Sequence, residues 1–386
     1  MTTSTDTVGT GTTDTRGTSA APTTGRRPPV AAATDEAAVQ RCAERLLGAY
    51  VDAMLVLMID LADRTGIFTA LVPGAATSAE LAARAGLHER YVRECLGALV
   101  TAGVVDHDPD TDRYLLPPEA AACLTGPGSA NIAPLSRIPT LLAHHLDEAE
   151  EVFRHGGGIP YERFRPAFTS VMDGVSRGVF DEQLVAAILP LADGLVEALT
   201  GGVRVADIGC GTGHSTVVLA RAFPASTFVG YDLSDDALAV GRAEAGEAGL
   251  DNVRFEERDI RTLPVDPPFD VVVGFDVVHD QVDPAGVLAR VHRSLTPGGV
   301  FLMLDIKAAS RLEDNRGNPL APLLYAVSTL HCMTVSLAEG GAGLGTVWGE
   351  QLARQMLAEA GFVDIAVHDV PDDPLNQVYV ARAAVR

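Results

Sequence analysis

The run Val203-Arg204-Val205-Ala206-Asp207-Ile208-Gly209-Cys210-Gly211-Thr212-Gly213-His214 leaves this chain few ways to fold. A short apolar strand leads into three alternating glycines, and then into an apolar helix predicted over 216–222. Glycine has no Cβ and tolerates positive φ, so the backbone can turn sharply there and a ligand can press against its N–H groups. Such a turn suits a dinucleotide or another adenosyl cofactor. The dinucleotide fingerprint is G-x-G-x-x-G, with the pyrophosphate at a helix N-terminus. Here the spacing is G-x-G-x-G, and Asp207 stands two residues before the first glycine. A carboxylate at that point would repel a pyrophosphate and suit a cationic amino-acid end. This favours S-adenosylmethionine (SAM), with its ammonium and sulfonium, over NAD.

The chain that follows strengthens the reading. A second strand, Thr227-Phe228-Val229-Gly230-Tyr231, ends in Asp232, where an acid can accept from both ribose hydroxyls. A third, Val253-Arg254-Phe255-Glu256, leads to Asp259-Ile260, where a carboxylate could accept from an adenine amino group. A fourth, Asp270-Val271-Val272-Val273-Gly274-Phe275, stops at Asp276. Pro297-Gly298-Gly299 then introduces a fifth, Val300-Phe301-Leu302-Met303-Leu304-Asp305. This series closely resembles the class I SAM-dependent methyltransferases over residues 201–386. The resemblance implies a doubly wound, mostly parallel seven-stranded α/β sheet. It also implies a cofactor site built from Asp207, Gly209, Gly211, Gly213, Asp232, Leu233, Asp259, Ile260 and Phe275.

Composition narrows the partners. With 386 residues, two or three domains fit easily. The formal charge is -22 and there is a single lysine, Lys307, so nucleic acid and anionic lipid should be repelled unless a local basic patch exists. Five cysteines (Cys42, Cys95, Cys123, Cys210, Cys332) lie scattered with no C-x-x-C pair, which argues for a reducing cytoplasm and against a disulfide framework or zinc site. Residues 1–34 are rich in Thr, Gly, Ala and Pro, lack the apolar core of a signal peptide, and are expected to form a disordered tail. The apolar run 46–61 is interrupted by Asp52 and Asp60 and is too short to span a bilayer.

A long helix is expected over 35–65, apolar on a wide stripe through Val39, Leu46, Tyr50, Met54 and Leu61 and closed by Gly66. That width suggests an oligomer interface. Thr77-Ser78-Ala79-Glu80 is a capping-box signature for a short helix ending at Gly86. A second helix over 88–102, a strand at Val104-Val105, a turn at Asp108-Pro109-Asp110 and Tyr114-Leu115-Leu116 complete a winged-helix pattern. That fold commonly binds DNA through its second helix. Residues 60–119, however, carry ten acids against five arginines, about −5, so the electrostatic footprint is missing and dimerisation is the better reading.

A winged-helix module joined to a SAM domain resembles the small-molecule O-methyltransferases of plant and bacterial secondary metabolism. The implied organisation is a dimerisation domain over 35–125, a helical connector and pocket roof over 126–200, and the SAM domain over 201–386. In that family the connector roofs cofactor and substrate, which makes Tyr161, Phe164, Phe168 and Met172 candidate pocket walls, with ordinary core as the competing reading. A helix over 182–199 should complete the connector. The apolar stretch 321–339, with His331 and Cys332, corresponds to a helix lining the acceptor pocket, and His331 is the candidate substrate contact there.

SAM carries an activated methyl, so the protein has to align a nucleophile, exclude water and, for a hydroxyl, remove a proton. After the fourth strand the chain reads Phe275-Asp276-Val277-Val278-His279-Asp280-Gln281. The O-methyltransferases place a His-Asp pair at this point, and their histidine deprotonates the acceptor. His279 and Asp280 match it, although Gln281 stands where the family usually has Trp. Asp305, ending the fifth strand, matches the carboxylate that orients that histidine. An imidazole with an ordinary pKa near ~6.5 is a suitable base near pH 7. Helix capping is the rival role for His279, and Asp283-Pro284 already supplies a helix start. His214 could meet the cofactor's carboxylate or simply open its helix. No metal is implied. The expected function is methyl transfer from SAM to a small apolar or aromatic metabolite in the cytoplasm, by a homodimer, on oxygen by default and on carbon or nitrogen with modest pocket changes. The alternatives are a SAM-responsive winged-helix regulator and a SAM-binding protein with non-methylating chemistry.

Overall fold

A computed structural model describes residues 35–385. The tail expected over 1–34 lies outside them. The described residues divide into two units between Tyr50 and Val51. The first is helical from Glu36, within the long helix Glu36–Arg64, and its Val39, Leu46, Leu47 and Tyr50 side chains are exposed. In the second unit that helix ends at Gly66, which takes the left-handed conformation (φ 77°).

The winged-helix portion forms as its caps dictate. Thr77 accepts from the Glu80 amide and Glu80 accepts from the Thr77 amide, opening the helix Ser78–Ala85, which Gly86 closes in the left-handed region. The helix Glu89–Thr101 follows and presents Val92, Leu96 and Leu99 to a core shared with Phe68, Leu71 and Leu81. The wing pairs β1 (Asp106–Asp108) with β2 (Arg113–Leu115). The strand expected at Val104-Val105 therefore starts two residues later. Val105 is instead drawn into the apolar core, and the polar residues after it make the ladder.

The connector contains the helix Ala167–Val179, which continues as the π-helical stretch Phe180–Ile188. The single helix expected over 182–199 does not form. Pro190 supplies no N–H to continue the ladder, Ala192 is extended, and Gly194 turns left-handed ahead of a separate helix Leu195–Gly201.

The remaining strands are β3 (Arg204–Ile208), β4 (Thr227–Asp232), β5 (Val253–Glu257), β6 (Phe269–Phe275), β7 (Leu295–Ile306), β8 (Phe362–Asp369) and β9 (Asn376–Ala383). They form one seven-stranded sheet in the order β5-β4-β3-β6-β7-β9-β8, parallel except for β9. Side chains alternate across it, as strand geometry requires. Val272, Phe301 and Met303 enter the core on one face, and Val271, Val273, Leu302 and Leu304 enter the core on the other. Helices cover both faces, which is why the central strands are apolar throughout. The chain order reverses beside β3, where β4 lies on one side and β6 on the other, and a ligand crevice belongs at the carboxyl ends of these strands. One helical stretch, Ala321–Ala338, is long and apolar enough to cross a membrane by length and composition. Its Ala321, Leu324, His331, Cys332 and Val335 are buried in the domain.

Candidate active site

The glycine turn is shaped by contacts that exclude any side chain. Gly209, Gly211 and Gly213 have φ of 62°, 56° and 77°. A Cβ on Gly209 would lie 2.2 Å from Val277 Cγ2, and one on Gly213 would lie 2.3 Å from the Phe255 ring. Gly211 differs: its missing Cβ would meet only Thr169 Cγ2, at 3.9 Å, so this glycine keeps the cavity floor clear. Left-handed backbone and an aromatic clash act together at Gly213. Gly213→Ala is therefore expected to cost about 2–4 kcal/mol of stability, read as a lowered midpoint in urea unfolding.

Above this turn lies a cavity of about 270 Å³. Its floor is Gly209, Cys210, Gly211 and Asp232, and its roof includes Thr169, Met172 and Ser176 from the helix Ala167–Val179. Asp232 accepts the Gly211 amide on Oδ2 and the Ser234 amide on Oδ1, both at 2.9 Å, which fixes its carboxylate at the cavity edge. Thr212 donates to Asp173 of the roof helix at 2.6 Å, tying the glycine turn to its cover.

Of the residues assigned to a cofactor by sequence, Gly209, Gly211, Asp232 and Phe275 line the cavity. Asp207 does not. It is buried behind the turn, where Oδ2 accepts the hydroxyls of Ser215 and Thr216 at 2.7 Å. Burial pushes its carboxyl up to about 6, against the lowering effect of those hydroxyls. Its work is to bind the helix start to the strand end, and the idea that it faces a cationic ligand has to be corrected. Gly213 packs under Phe255, Leu233 points to solvent, and Ile260 is core. The Asp259 carboxylate is committed to Arg261, through the backbone N–H and the guanidinium, which hold it below the usual carboxylate range.

His279, 3% exposed, also lines this cavity. Its Nδ1 lies 2.8 Å from Asp305 Oδ1, and the same oxygen accepts the Ile306 amide and the Trp348 indole N–H. Its Nε2 lies 3.3 Å from Asp280 Oδ1. Burial opposes charge on this imidazole, but Asp305 and Asp280 outweigh it and raise its pKa well above 6.5. The ordinary pKa assumed from sequence is thus replaced by that of an imidazole clamped between two carboxylates. Helix capping is not its task. Asp283 caps the next helix by accepting the Gly286 amide, with Pro284 in its first turn.

Sequence reasoning gave no role to Asp276 in this wall or to Trp348 behind it. Asp276 has φ +51°, a conformation few non-glycine residues adopt, and burial pushes its carboxyl to about 7. The positive φ is invisible in sequence, although an acid ending an apolar parallel strand is a recognisable signal. Trp348, the only tryptophan, sits next to Asp305 because the chain returns from 43 residues away. His214 is buried among Asp181, Glu244 and Arg177, which makes it part of an ionic cluster as well as a helix start.

Tyr161, Phe168 and Met172 line the cavity as expected, and burial pushes the Tyr161 phenol up to about 12, so it stays protonated. Phe164 and His331 form the layer behind them. His331 stacks on Phe168 with ring centroids 3.5 Å apart, meets Phe164 edge-on, and has its pKa pushed down to about 4 by burial. A direct substrate contact by either is not what the fold provides.

Comparison with known proteins agrees with this architecture. Residues 199–361 match the methyltransferase domain family and residues 53–126 match the Rv2258c-like winged HTH domain. Residues 199–361 are thus a methyltransferase domain by similarity, and the chain has the class I methyltransferase fold with an N-terminal winged-helix domain. More particularly, its fold is similar over about nine-tenths of the chain to solved structures of small-molecule methyltransferases. Mitomycin 7-O-methyltransferase is 21% identical, with a TM-score of 0.67 covering 90% of this chain and 100% of that one. Human N-acetylserotonin methyltransferase in complex with SAM is 18% identical, with a TM-score of 0.66 covering 92% and 100%. Among curated relatives, trans-aconitate 2-methyltransferase of Methylobacterium nodulans is 34% identical over 36% of this chain and 50% of its own length. The SAM-dependent Diels-Alderase iccD of Talaromyces variabilis is 28% identical over 47% and 60%. The chain thus spans 50 to 60% of the length of these two curated relatives.

Proposed function

We propose that this protein transfers a methyl group from SAM to a small acceptor, by default to an oxygen. The observation that carries the reading is that the glycine turn, Asp232 and His279, which Asp305 holds from behind, line one cavity. SAM supplies a methyl activated by its cationic sulfur. Gly209, Gly211 and Phe275 would line its place, and Asp232 would hold its ribose hydroxyls. His279 Nε2 takes the acceptor's proton while Asp305 holds Nδ1 and stabilises the charge that forms. The Tyr161, Phe168 and Met172 wall favours an apolar or aromatic body for the acceptor.

Purified protein mixed with SAM and a panel of phenolic and hydroxylated metabolites tests this. Stoichiometric release of S-adenosylhomocysteine with a methylated product is expected. SAM binding with acceptor conversion but no S-adenosylhomocysteine would favour the non-methylating alternative, which the similarity to the Diels-Alderase keeps in view.

A pH dependence follows from the clamp on His279. The base works only when neutral, and its pKa is raised in the folded protein. Since kcat/KM reports the free enzyme, it should climb with pH and reach its plateau on the alkaline side of neutrality. A profile already flat from pH 6 would contradict the base assignment.

The exposed apolar side chains of the long helix, Val39, Leu46, Leu47, Tyr50, Val51 and Met54, support pairing of two copies through this domain.

A further inference from the structure

We infer that His279, Asp280 and Cys332 form a binding site for a single Zn²⁺ ion beside the cavity. One ligand atom of each, an imidazole nitrogen, a carboxylate oxygen and the thiol sulfur, lies within 4.8 Å of the other two. Among these, His279 Nε2 and Asp280 Oδ1 are 3.3 Å apart, close to the ligand-to-ligand edge of a tetrahedron with Zn–N and Zn–O bonds of about 2.0–2.2 Å. Asp280 Oδ1 is closed to water and has no hydrogen-bond partner, which leaves its charge for a cation to meet.

The surroundings match what zinc ligands require. A ligating histidine usually directs its other ring nitrogen at a carboxylate, and His279 Nδ1 already faces Asp305 Oδ1 at 2.8 Å. The π-helical stretch Ser328–Cys332 carries the thiol in from a different element, and such irregularities recur at functional sites. All three residues line the cavity, so three protein ligands leave a fourth position open toward it. On binding, the Cys332 thiol proton leaves to solvent and the thiolate bonds the metal. Imidazole, carboxylate and thiolate together suit Zn²⁺ and its spectroscopic substitute Co²⁺ rather than Mg²⁺ or Ca²⁺. Under the proposed function, occupancy would tie up His279 Nε2 and inhibit hydroxyl methylation, but the binding itself does not depend on that reading.

The test uses the full chain freed of metal and titrated with Co²⁺ and Zn²⁺. One equivalent of Co²⁺ is expected to produce a thiolate-to-cobalt charge-transfer absorption that Zn²⁺ displaces. Cys332→Ser should abolish this band, and the double variant Cys42→Ser/Cys123→Ser, which removes the two exposed thiols, should retain it. Asp280→Asn keeps the thiol and should weaken Co²⁺ binding by at least tenfold, which decides the matter if Cys332→Ser fails to fold. No stoichiometric binding, a band that survives Cys332→Ser or vanishes with the exposed thiols, or unchanged affinity in Asp280→Asn would overturn the site.

Discussion

Replacing His279 with alanine is expected to lower kcat/KM for a hydroxyl acceptor by about 10²–10⁴-fold, the usual worth of a positioned general base. SAM affinity should change little, because His279 is assigned to the acceptor's proton and the ribose hydroxyls of SAM are assigned to Asp232. The loss should fall on the proton-transfer step, so an acceptor supplied as a preformed anion, such as an acidic phenol at high pH, should recover part of the rate. Asp305→Asn should reproduce the defect more mildly and move the alkaline rise of the pH profile, since Asp305 Oδ1 holds Nδ1 at 2.8 Å and raises the imidazole's pKa. Steady-state kinetics on both variants, paired with calorimetric SAM titrations, check the point. Wild-type turnover by His279→Ala with an acceptor that needs deprotonation would assign the base elsewhere.

The second large effect concerns the cofactor end. Asp232→Ala should weaken SAM binding by about 2–3 kcal/mol, roughly 30- to 150-fold, the worth of charge-assisted hydrogen bonds from both ribose hydroxyls. Part of the loss comes from the protein itself. Oδ2 holds the Gly211 amide and Oδ1 the Ser234 amide, so alanine also frees the turn that has to meet the ligand. Asp232→Asn keeps one acceptor oxygen and should fall between the two. Calorimetry with SAM measures all three proteins, and equal affinities would remove Asp232 from the site.

Much of this was legible in the sequence, for identifiable reasons. The glycine spacing, the acids at strand ends and the apolar parallel strands come from local rules, and the sheet they imply is the one that forms. The capping box at Thr77 and the Asp283-Pro284 helix start are equally local and equally clear. The misreadings share a different cause. Asp207 looked like a ligand because its spacing from the glycines is visible, but only the fold shows that Ser215 and Thr216 turn its carboxylate inward. Asp259 suits an adenine amino group by its place in the chain, and only the fold shows Arg261, two residues on, donating to both of its oxygens. Phe164 and His331 bear the right chemistry for a pocket but sit one layer behind it, a distinction that periodicity cannot make. The raised pKa of His279 depends on carboxylates from two separate segments converging, and Trp348 reaches Asp305 from a third.

The proposed function places SAM in the cavity over the glycine turn, and calorimetric titration of the purified protein with SAM and, separately, with NAD examines that most directly. One SAM bound per chain is expected, with affinity lost in Asp232→Ala, and no heat from NAD. Saturable NAD binding in the absence of any SAM signal would contradict it.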